Sequence, residues 1–60
     1  MTVAIYNNIT CMLVERFFDF NEKIWHGLHE GNYIKIHGEQ FQIVKLIYNF
    51  DIEALEIYVQ

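Results

Sequence analysis

The chain has 60 residues, 53% of them apolar or aromatic, and a net charge of -4 from eight acids and four bases. That length holds one small domain, residues 1–60, and Arg16, Lys23, Lys35 and Lys45 are too scattered to track a phosphate backbone. The longest uncharged run, residues 1–14, is too short to span a bilayer and contains Asn7, Asn8 and Thr10. Nucleic-acid and membrane partners are therefore not expected.

In chain order, residues 2–6 are β-rich, with Val3 and Ile5 on one side. Asn7-Asn8 reads as a turn, because Asn tolerates left-handed backbone. Residues 9–20 follow as a long apolar run that admits two readings. As a strand it sets Ile9, Cys11, Leu13 and Phe17 against Met12, Val14, Phe18 and Phe20. As a helix it gathers Ile9, Met12, Leu13, Phe17, Phe20 and Ile24 near one stripe. Its β-branched and aromatic side chains favour the strand. Cys11 then reads as buried packing.

Residues 21–31 carry the best helical signal. Asn21 suits an N-cap, Ile24, Trp25 and Leu28 form a stripe, and Gly31 suits a C′ position. Gly27 costs about 1 kcal/mol against Ala in a helix, so one or two turns are expected.

Residues 33–60 organise the rest as a three-stranded antiparallel meander. Ile34 and Ile36 alternate with Tyr33 and Lys35, the period of a half-buried strand. His37-Gly38 suits a two-residue type I′ turn, which needs φ > 0 at both positions. Counting outward pairs Ile36 with Glu39, Lys35 with Gln40, Ile34 with Phe41 and Tyr33 with Gln42. In the next strand Phe41 and Ile43 sit on odd positions, whereas Val44, Leu46, Tyr48 and Phe50 sit on even ones. A β-bulge near residues 43–44, or cover on both faces, accounts for that break. After a turn near residues 49–54, Leu55, Ile57 and Val59 alternate with Glu56, Tyr58 and Gln60. The phrase Leu28-His-Glu-Gly31-Asn-Tyr-Ile-Lys-Ile, with His37-Gly38 and the strand after it, resembles the opening of small SH3-like barrels over about half the chain. The expected fold is mainly β: a small antiparallel sheet or open SH3-like barrel of four to five strands with one short helix.

Chemistry-bearing residues do not assemble into a recognisable site. His26 and His29 stand three apart, with Cys11 or His37 as further ligands, but zinc sites show three or four ligands at defined spacing. Glu15, Asp19 and Glu22 as acid–base carboxylates would need a cleft that so short a chain has little volume to form. No metal, cofactor or enzymatic activity is expected. Cys11 has no partner for an internal disulfide, and no signal-peptide pattern precedes it, so a reducing cytoplasmic setting is expected.

The rings are the informative surplus. Ten of the 60 residues are Phe, Tyr or Trp, and a chain this size buries only about 60% of its unfolded surface. Phe18, Phe20, Trp25, Tyr48 and Tyr58 are therefore the interface candidates. The expected protein is a non-enzymatic interaction module that pairs with itself and docks onto a partner protein. Short acidic, aromatic-rich chains suit inhibitors or adaptors, including those of viruses and mobile elements. The alternatives are a structural subunit of a larger assembly and a nucleic-acid-associated small barrel.

Overall fold

The structure, a computed structural model, describes residues 1–21 and 27–60. Its strands are β1 (Thr2–Asn7), β2 (Leu13–Phe17), β3 (Tyr33–Ile36), β4 (Glu39–Asn49) and β5 (Ala54–Val59). They form one curled five-stranded sheet in the order β2-β1-β5-β4-β3, a half-barrel. The mainly β, open-barrel expectation therefore holds.

The meander forms as the residue pattern dictates. His37 and Gly38 both adopt positive φ, 52° and 81°, as a type I′ turn requires. That turn fixes the register, and Ile36 pairs with Glu39, Lys35 with Gln40, Ile34 with Phe41 and Tyr33 with Gln42. β4 shifts register against β5 between Ile43 and Lys45. The shift leaves Val44 as the extra residue of a bulge, so Ile43 before it and Leu46 and Tyr48 after it all meet the core.

β1 closes the arrangement by running parallel to β5, with Val3 beside Leu55 and Ile5 beside Ile57. This makes the sheet mixed rather than wholly antiparallel. Val3, Ile5, Ile36, Ile43, Leu55, Ile57 and Val59 form the buried cluster on the concave face. The convex face carries Tyr6, Lys45, Glu56 and Tyr58, as the alternation of strand side chains requires.

Two expectations need correction. The run at 9–20 is a strand only over Leu13–Phe17. Asn7 captures the preceding residues instead. Its Oδ1 accepts from the Ile9 and Thr10 amides at 2.9 and 3.0 Å, and its carbonyl accepts from the Cys11 amide at 2.9 Å. Cys11 is consequently exposed, with φ at 61°, and is not core packing. The short helix expected at 21–31 falls largely on residues 22–26, outside the described residues. After them, Gly31 turns at φ +85° and its N–H donates to the Ile43 carbonyl at 2.9 Å, leading the chain into β3.

Candidate protein-docking end of the barrel

The chain reverses at two opposite ends of the sheet, and each end carries apolar side chains that the core does not take. At the first end β1 and β5 begin and β2 finishes, because Thr2 pairs with Ala54 and Val3 with Phe17. Three large side chains stand out there: Phe18 is 67% exposed, Phe50 83% and Ile52 62%. The Asn49 side chain accepts from the Asp51 amide at 3.0 Å, an Asx turn that projects Phe50 outward. The Phe50 ring meets Tyr48 edge-on, 4.8 Å between centroids. Asp19, Asp51 and Glu53, all exposed, alternate with these apolar groups. This end is therefore apolar with an acidic rim.

The interface candidates distribute unevenly over this frame. Phe18, Phe20 and Tyr48 reach the first end. Phe20 is half-buried against the core, with its N–H on the Met1 carbonyl at 3.0 Å. Tyr48 is also half-buried and packs on the core. Tyr58 lies on the convex face instead, stacked on Tyr6 at 5.5 Å, with the Lys45 amine 4.7 Å over its ring. Partial burial pushes its phenol above the ordinary value, and the charge of Glu56 adds to the effect. Trp25 lies outside the described residues.

Residue reading missed Phe50 and Ile52, as well as Ile9 and Met12 at the other end, which are 79% and 69% exposed. A signal for them existed. Large apolar residues inside a segment read as a turn have no core within reach, so Phe50-Asp-Ile-Glu in the 49–54 turn already implied exposure.

The concave face holds a cavity of about 320 Å³. Val3, Ile5 and Ile57 form its floor, Phe17 and Phe20 one wall, and Ile34 and Ile36 the other. Across the gap between those walls, His37 Nε2 meets Glu15 Oε2 at 2.6 Å. The Arg16 N–H, and then the His37 imidazole, hold the Glu15 carboxyl below the usual carboxylate value. The stabilisation from Glu15 is thus present above that usual value and fades as pH falls through the lowered one.

Of the imagined acid–base group, Glu15 is engaged by His37, Asp19 is exposed and Glu22 lies outside the described residues. Among the described residues no three of His, Cys, Asp or Glu converge as metal ligands, and no helix is long and apolar enough to cross a membrane. His26 lies outside that set. Comparison with known protein families, curated proteins and solved structures gives no match.

Proposed function

We propose that this chain is a non-enzymatic interaction module that docks onto a partner protein, occludes or adapts it, and also associates with itself. One observation carries the reading: Phe18, Phe50 and Ile52 are all exposed, and all lie in the chain just beyond strand ends at the same end of the sheet. Contiguous exposed apolar groups rimmed by polar ones mark interaction sites. For a partner protein, the acids Asp19, Asp51 and Glu53 favour an apolar surface bordered by Lys or Arg. In self-association through this end the acids oppose one another, so that contact rests on the apolar groups and strengthens with added salt. A cytoplasmic setting belongs to the same reading, since Cys11 is an exposed free thiol of the kind a reducing compartment preserves.

Phe18→Ala tests the docking role. The ring is 67% exposed, so the melting temperature of the dilute protein should stay within about 2 °C of the parent. Self-association should weaken about tenfold or more, the behaviour of an interface aromatic. A fall in melting temperature with unchanged association would place the ring in the fold's own packing and refute the role.

The apolar groups at both ends favour a second reading, a subunit of a larger assembly. Two different sticky ends permit head-to-tail contacts, which grow beyond a dimer when they do not close into a ring. A mass that keeps rising above the dimer would favour this reading.

A further inference from the structure

The strand order leaves β2 and β3 as the two edges of the sheet, and no strand pairing joins them among the described residues. The sheet curls far enough to bring these edges into opposition over the cavity. One side-chain contact ties them. Glu15 reaches from the middle of β2 to His37, at the corner where β3 turns into β4, 22 residues further along the chain. The corner is held in a defined place by the left-handed geometry of both turn residues.

We propose that the His37–Glu15 pair is a pH-sensitive latch that holds the barrel's seam shut over the apolar cavity. The contact has two regimes. While Glu15 is ionised and the imidazole protonated, it is a charge-assisted hydrogen bond across the seam. When the imidazole is neutral the carboxylate still accepts its N–H but the opposite charge is gone, which weakens the contact, and histidine side chains make that change between about pH 5 and 8. At strongly acid pH the carboxyl protonates and the charged pair is lost. The seam is therefore tightest in mildly acidic solution and loosens on either side. The other charged groups nearby are Arg16, next to Glu15 on β2, and Lys35 and Glu39, which flank the turn on β3 and β4.

Backbone amide exchange in the intact protein tests the latch, comparing the parent with Glu15→Gln and His37→Asn. Asn tolerates the positive φ at this position, so the second variant removes the titrating group and keeps the turn. At about pH 6 the β2 and β3 amides should exchange about two- to fivefold faster in either variant than in the parent, the range for an exposed ion pair. At about pH 8.5 that ratio should fall by half or more. The β5 amides should not change. Equal exchange in all three proteins, a pH-independent ratio, or an equal change in β5 would overturn the latch. If His37→Asn does not fold, Glu15→Gln decides by the same criteria.

Discussion

Ile57→Ala is expected to remove about half or more of the stability of this chain. Ile57 is 1% exposed, and it lies in the central strand between Ile5 of β1 and Leu46 of β4. Its side chain therefore bridges three strands and forms part of the cavity floor. Truncating a fully buried isoleucine costs about 2–5 kcal/mol, through lost burial plus the hole left behind. A 60-residue chain at typical values holds only about 3–9 kcal/mol in total. The variant should thus lose roughly half or more of its stability, read as a lowered midpoint in urea titration or thermal melting. The control is Ile47→Ala on neighbouring β4, where the side chain is 43% exposed. It should cost under about 1 kcal/mol. Equal effects at the two positions would mean that the sheet's inner and outer faces are misassigned.

A second large loss is expected from Ala4→Pro, which tests where β1 sits. Ala4 faces Arg16 of β2 on one side and Glu56 of β5 on the other, and it is 3% exposed. Its N–H points toward one of those strands, and both sides are occupied. Proline therefore deletes a ladder hydrogen bond whichever way the amide points, and its ring has no free volume to enter. The cost should be about 3 kcal/mol or more, a large share of what a chain of this size holds, read as a strongly lowered unfolding midpoint. On an edge strand with its amide to solvent, the same proline would be tolerated. An Ala4→Pro protein with the parent's stability would therefore displace β1 from the interior of the sheet.

Local signals made the meander legible. The two-residue loop at His37-Gly38 sets a register by counting, and the odd-to-even switch at Ile43-Val44 announces a bulge. Both depend only on neighbouring residues. The parallel pairing of β1 with β5 joins residues about fifty positions apart. No turn connects the two strands, so no short phrase of sequence encodes their adjacency. Chain extent at 9–20 was misread for a different reason. Propensity treats Ile9 and Met12 as strand formers, but Asn7 offers the backbone a competing set of hydrogen bonds that ends the strand and turns the chain.

The exposed apolar end was half legible for a related reason. Too many rings for the interior was a correct inference from composition, and Phe18 carries it into the structure. Tyr58 shows its limit. Its register against Lys45 and its place beside Tyr6 give the ring partners on the sheet itself. Composition counts rings, but cross-strand register decides which of them are already occupied.

The end that carries Phe18, Phe50 and Ile52 is the proposed association surface. Solution mass, by size-exclusion chromatography with light scattering over a dilution series, tests it most directly. The parent should shift from monomer to dimer or larger as concentration rises. The triple variant Phe18→Ser, Phe50→Ser, Ile52→Ser should keep the parent's circular dichroism and stay monomeric throughout. A parent that is monomeric at every concentration, or a variant with the parent's mass profile, would contradict the claim.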